Sequence, residues 1–204
     1  PLLVRGGVAA QRRGGCSNNK RPAMRPALWL IPAAALAAPS AYVYAAQYMS
    51  VEQARALIFD RADEFIAAPV TLTPEQIERI QKESGVKVRG PQQQVWLARA
   101  KGELLGWFIL DQVIGKHEYI TFAAGINPDG TFRQLQIIEY REAYGSQVRF
   151  LKWRDQFVGK TAADPLELDN DIQSISGATL SCRHVTEGVK RLLVMAQVAL
   201  RSTK

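Results

Sequence analysis

Apolar positions along the chain change their spacing twice. In "SVEQARALIFDRADEFI" (residues 50–66) they recur at helical intervals, which predicts a first helix with Ser50 as its N-cap. "LTPEQIERIQKESG" predicts a second: Thr73 caps it, Pro74 suits the first helical position, Gln76 completes a capping box and Gly85 stops it. After Pro91 the pattern becomes that of strands. "QVWLARA" and "ELLGWFILDQVI" flank Lys101-Gly102, a two-residue hairpin signal, and the apolar run from Leu104 to Leu110 predicts a strand covered on both faces. "EYITFAAGI" and "TFRQLQIIEY" surround Asn127-Pro128-Asp129-Gly130, whose Pro and Gly suit a turn. Four consecutive strands predict an antiparallel meander.

The spacing turns helical again in the last third. "SQVRFLKWRDQFVGK" predicts a short helix with Val148, Leu151 and Phe157 on one side and Gly159 as its stop. "TAADPLELDNDIQS" reads as a long acidic loop. From Cys182 to Leu200 the apolar positions Val185, Val189, Leu192, Leu193 and Ala196 fall on one helix face, with Glu187 facing Arg191 four residues on. The predicted class is α+β: an antiparallel meander packed by helices, with a long C-terminal amphipathic helix after a Ser-Gly-Ala-Thr turn. Residues 50–90 form an N-terminal helical segment, and residues 91–204 carry the sheet and the last helix.

Charge changes the picture through its location. The chain has 204 residues and a formal charge of +7, yet six basic residues (Arg5, Arg12, Arg13, Lys20, Arg21, Arg25) precede residue 46, and all 19 acidic residues follow it. The remainder balances 20 basic against 19 acidic residues, so no charge excess exists to neutralise a polyanion, and nucleic acid is not an expected partner. Met24-Arg25 followed by the uncharged "ALWLIPAAALAAPSAYVYA" reads as an export leader over residues 24–45, with Val43 and Ala45 at the −3 and −1 places of a signal-peptidase site. An uncleaved anchor and membrane association through residues 27–46 is the rival reading, since about 20 apolar residues span a bilayer. Arg12-Arg13 lacks the flanking residues of a twin-arginine signal, and residues 1–23 read as an over-extended, disordered start. Either leader places the domain at the periplasmic or extracytoplasmic face of the inner membrane.

Cys182 is the one cysteine after residue 46, which leaves no Cys cluster for iron–sulfur or zinc and no Cys-x-x-Cys-His for haem. Hydrolase chemistry fails on residue types as well. There is no Gly-x-Ser-x-Gly elbow, and His184 lies two residues from Cys182, on another helix face. His117 reads as a surface or hydrogen-bonding histidine.

One stretch remains, "SISGATLSCRH" (residues 174–184). It is a tight turn and helix cap, or else a place where a phosphate is held: backbone N–H groups and the helix dipole favour an anion there, Gly177 and Ala178 admit a bulky group, and Thr179 supplies an alcohol able to form a phosphoester. "SISGATLS" before an amphipathic helix resembles the flavinylation motif of the FMN-binding domain. That family includes the G-type subunit of the Rnf complex, the C-type subunit of the sodium-pumping NADH:quinone reductase and the periplasmic part of nitrous-oxide-reductase regulators. Upstream, "EYREAYGSQVRFLKWRDQFVGK" is similar to the family's Glu–Gly and "W…QF.GK" segment at Glu142, Gly145, Trp153, Gln156, Phe157, Gly159 and Lys160.

The resemblance implies that residues 91–204 are an FMN-binding domain, that FMN is the cofactor and that Thr179 carries it through a phosphoester installed by a magnesium-dependent flavin transferase. Ser174, Ser176, Gly177, Ala178 and Leu180 would surround the attachment point. Lys160 would bring positive charge to the phosphate, Tyr144, Trp153 and Phe157 would flank the ring, and Glu142 would bond the flavin or else pair with Arg141 or Arg149. A membrane electron donor and a redox-protein acceptor would be its partners, in an electron-transfer flavoprotein rather than a substrate-converting enzyme. The motif's Asp three residues before its Ser is Gln173 here, which leaves a reversible FMN-binding sensor or assembly module as the alternative. A flavin-free interaction domain in which the turn only caps a helix is the third reading.

Overall fold

The computed structural model describes residues 46–201, so the leader and its alternatives lie outside the described residues. The predicted meander is its centre: β4 (Gln92–Ala100), β5 (Glu103–Ile114), β6 (Tyr119–Ile126) and β7 (Phe132–Tyr140) pair antiparallel in sequence order. Lys101 and Gly102 turn the first hairpin with φ of 50° and 81°, the left-handed pair that a two-residue turn requires. Three short strands that the hydrophobic pattern does not reveal extend the edges. β1 (Ala46–Gln47) pairs with β7, while β2 (Glu64–Ala67) and β3 (Val70–Thr71) both pair with β4.

Helices cover both faces, and this explains the unbroken apolar run of β5. α1 (Val51–Ile58) sets Ala54 and Ile58, with the following Phe59, into a cluster with Phe108, Ala123 and Ile138. The neighbouring Trp107 and Ile109 point to the opposite cluster, where α2 (Pro74–Ser84) and the long α4 (Thr179–Met195) bury Ile80, Val185, Val189 and Leu192. α1 approaches so closely that a Cβ on Gly125 would lie 2.3 Å from Ile58.

Both predicted N-caps form, and each closes a capping box, the first of them not predicted. Ser50 and Gln53 exchange bonds of 2.8 and 3.2 Å, and Thr73 and Gln76 exchange bonds of 2.9 and 3.2 Å, while Gly85 ends α2 at φ 71°. The first helix, however, stops at Ile58 rather than running to residue 66. Residues 64–67 pair with Trp96–Arg99, and Phe65 packs edge-on against Phe59 and Phe108 at 6.4 and 6.2 Å. An unpaired β4 edge outweighs the modest helical preference of "DRADEFI".

The helix predicted over 146–158 is broken as well. A 3₁₀ turn (Ser146–Arg149), α3 (Leu151–Arg154) and a second 3₁₀ turn (Asp155–Phe157) follow one another, because Phe150 is extended at φ −64°, ψ 132°. Leu151 consequently stays exposed and Trp153 takes the buried position. On α4, Arg191 pairs with Asp111 of β5 instead of Glu187, and the helix widens into a π turn over Ala196–Leu200.

Candidate functional site

α4 begins three residues before the helix that the sequence pattern predicts, which places Thr179 inside its first turn. Ala178 holds the N-cap position, and no side chain caps the helix. The first intrahelical bond runs from the Cys182 N–H to the Ala178 carbonyl at 2.9 Å, so the N–H groups of Thr179, Leu180 and Ser181 stand ahead of it. The reading of this turn as a side-chain cap is therefore corrected: Thr179 is exposed at the mouth of a helix whose positive end is open. Gly177, at φ 80°, makes the turn, and a Cβ there would meet nothing within 4 Å.

Beside Thr179 lies a cleft of about 420 Å³, lined also by Lys116, His117, Glu142, Tyr144 and Leu180. Tyr140 fastens its walls together. The Tyr140 hydroxyl donates to the Tyr144 carbonyl and accepts from Ser181 Oγ at 2.7 Å, tying the chain after β7 to the first turn of α4. Gly145 sits beneath at φ 94°, where a Cβ would lie 2.6 Å from the Tyr140 oxygen and 2.7 Å from Ser181 Oγ. That position admits glycine alone without displacing the bond between the two walls.

Glu142 pairs with neither arginine. Its Oε1 accepts from the N–H groups of His117 at 2.5 Å and Glu118 at 3.0 Å, clamping the β5–β6 turn, while Arg141 bonds Glu139 at 3.0 Å. Burial works against the Glu142 charge, but the backbone donors of Glu118, His117 and Lys116 outweigh it and hold its pKa below the ordinary value.

Lys160 also requires correction. Its ammonium is engaged by Asp171 at 2.8 Å and Asp164 at 3.8 Å, where it organises the acidic loop, and it does not line the Thr179 cleft. The cation at the Thr179 cleft is Lys116, which sequence reasoning missed. Its position in the tight turn of "IGKHEYI" was the available signal, since that turn follows the long apolar strand.

Trp153 and Gln156 act from behind on the loop that precedes Thr179. Trp153 Nε1 donates to the Gln173 carbonyl at 2.8 Å, and the Gln173 N–H donates to Gln156 Oε1 at 2.7 Å. Residue 173 is thus held by both main-chain groups while its side chain is exposed. Ser174 bonds Asp169 at 2.8 Å. A second cleft, about 340 Å³, opens here between Phe150, Trp153, Ser174 and Ile175. Phe157 is fully buried against Phe132 and Trp153, so ring contact is not its duty. Tyr144, 85% exposed, and Leu180, 45% exposed, are apolar surfaces at Thr179 that a planar ring would cover.

These features fit a phosphate-bearing cofactor with a flat ring: an uncapped helix start, an exposed alcohol, a nearby ammonium and bare apolar groups. Residues 115–194 match the family described as the FMN-binding domain. Over 154 residues the chain is 28% identical to the G subunit of the Na(+)-translocating ferredoxin:NAD(+) oxidoreductase complex of Acetobacterium woodii, a match covering 71% of this chain and 72% of that protein. Among solved structures it is similar to NqrC of Shewanella oneidensis, with 16% identity, a TM-score of 0.47 and 70% of this chain and 87% of that one covered. It is similar too to the C subunit of the Na(+)-translocating NADH-quinone reductase of Parabacteroides distasonis, with 17% identity, a TM-score of 0.49 and coverage of 76% and 86%. Residues 115–194 thus carry the likeness to the FMN-binding domain family, and FMN is the cofactor that these similarities indicate.

Proposed function

We propose that this protein is an extracytoplasmic electron carrier whose FMN is joined by a phosphoester to the Thr179 hydroxyl. The observation that carries the reading is the exposed Thr179 in the first turn of an uncapped helix, opening onto a cleft walled by Lys116 and Tyr144. The N–H groups of Thr179, Leu180 and Ser181, with the helix dipole, hold the phosphate, and Lys116 adds charge. Tyr144 and Leu180 offer apolar surface to the ring. Bound FMN supplies the electron exchange, while the chain's own residues position it and shape its surroundings. The carrier takes electrons from a membrane donor and passes them to a redox protein, after maturation by a flavin transferase. No helix among the described residues is long and apolar enough to cross a membrane; the leader at residues 24–45 supplies export or anchorage.

Gln173 favours one second reading, a reversible FMN-binding sensor or assembly module, because the family motif places a carboxylate there. Intact-mass analysis of the exported protein, produced with a flavin transferase, separates the two. The expected result is a gain of one FMN residue (~438 Da) on the wild type and none on Thr179→Ala, with flavin colour surviving denaturation. FMN that is released on denaturation, with no added mass, would replace the covalent carrier by the reversible binder.

A further inference from the structure

On the far side of the β5–β6 turn, a cleft of about 460 Å³ opens between the loop after α2, the end of β5 and α4. It shares no lining residue with the Thr179 cleft. Its apolar wall is Val86, Val113 and Ile114, and Ile114 is 52% exposed although it continues a buried strand. Its polar side gathers Lys87, Arg89, His184 and Arg191, with Glu187 as the one acid in the lining.

Two buried nitrogens in this lining lack a hydrogen-bond partner among the described residues: His184 Nδ1 and Arg191 Nε. Arg191 is 4% exposed, and its Nη2 is taken by Asp111. Orphaned buried donors are costly, and native folds retain them where something else satisfies them. Another orphaned guanidinium, that of Arg55 on the α1 side of the sheet, has a different account, since Arg55 is caged by Phe65, Trp96 and Phe108.

The charges set the kind of ligand. Asp111 neutralises Arg191, and Glu187 offsets one of Lys87 and Arg89, neither of which forms an ion pair among the described residues. One cation is left over. Arg89 is already positioned, donating to the Gln112 carbonyl at 3.1 Å with its guanidinium 4.5 Å from the Tyr119 ring. A single surplus cation, underused donors and an aliphatic wall together match a monoanionic head on an apolar body.

We propose that this cleft binds an amphipathic monoanion, a carboxylate or phosphodiester head with a hydrocarbon portion laid along Val113 and Ile114. The site stands whether or not Thr179 carries flavin. Such an anion is available as a free organic acid or as a lipid head group, and the test separates these.

Calorimetric titration of the exported protein with octanoate should give saturable binding of one equivalent. Acetate, lacking the apolar body, and octanol, lacking the charge, should each bind more than about tenfold more weakly. Arg89→Gln and Ile114→Thr, two exposed positions, should each weaken octanoate by a similar factor while the melting curve and flavin content stay unchanged. Phosphatidylcholine vesicles containing phosphatidylglycerol provide the lipid arm. Binding to them that Arg89→Gln abolishes assigns the head group as source, whereas octanoate binding without vesicle binding assigns a free acid. Octanol binding as tightly as octanoate, octanoate binding unaffected by both variants, or neither octanoate nor vesicles binding would overturn the site.

Discussion

Two threonines at helix starts carry different duties, and their geometry separates them. Thr73 accepts the Gln76 N–H at 3.2 Å and closes a capping box, whereas Thr179 lies one residue inside α4 and caps nothing. Thr73→Ala should therefore cost about 1 kcal/mol of stability, and Thr179→Ala in the flavin-free protein should stay within about 0.5 kcal/mol of wild type. Urea melts of the two variants beside wild type check this. A loss at Thr179 as large as that at Thr73 would restore the capping role. Lys160 gives the same lesson in reverse. Its sequence position beside the aromatic segment suggested a phosphate ligand, but Asp171 and Asp164 sit within 2.8 and 3.8 Å and claim its charge.

At the scale of elements, what a local signal specifies was legible and what a distant partner decides was not. Capping boxes, the Lys101-Gly102 turn and the four-strand meander depend on residues a few positions apart, so the chain states them outright. β2 exists because β4 has an edge to pair, and the loop before α4 is held at Gln173 by Trp153 and Gln156 and at Ser174 by Asp169; neither cause is local. The same applies to the site. The Ser-Gly-Ala-Thr core could be recognised from residues 176–179 alone, while Lys116 reaches it only through the fold. The grip of Trp153 and Gln156 on Gln173 is the element-scale device that holds the loop. Gln156→Leu leaves the Gln173 N–H without its acceptor and should destabilise the protein by about 0.5–1.5 kcal/mol. It should also lower flavin incorporation at fixed transferase concentration, while Gln156→Glu, which keeps an acceptor, should retain most of it. Thermal melts and flavin-to-protein absorbance ratios report the two effects separately.

For the molecule as a whole, acid is the predicted weakness. Asp171 and Glu142 are opposed by burial, yet Lys160 and neighbouring N–H groups for the first, and backbone donors for the second, hold both below their ordinary pKa. Asp164 and Asp129 are lowered by the backbone and hydroxyl groups of Thr161 and Thr131. A carboxyl group whose folded pKa is depressed binds protons more readily when unfolded. Its stabilisation is complete above the unfolded range, near pH 4, and is lost as pH falls through the native value. The melting temperature should hold steady from pH 7 to about 5 and drop steeply below about 4, and Glu142→Gln should make that drop shallower. A melting temperature that rises on acidification would contradict the placement of these carboxylates.

Because residue 173 is gripped only by its N–H and carbonyl, the fold accepts there any side chain but proline. Position 173 is a free letter beside a fixed alcohol. Selection can rewrite it to any residue that keeps its N–H, and the scaffold will register little change.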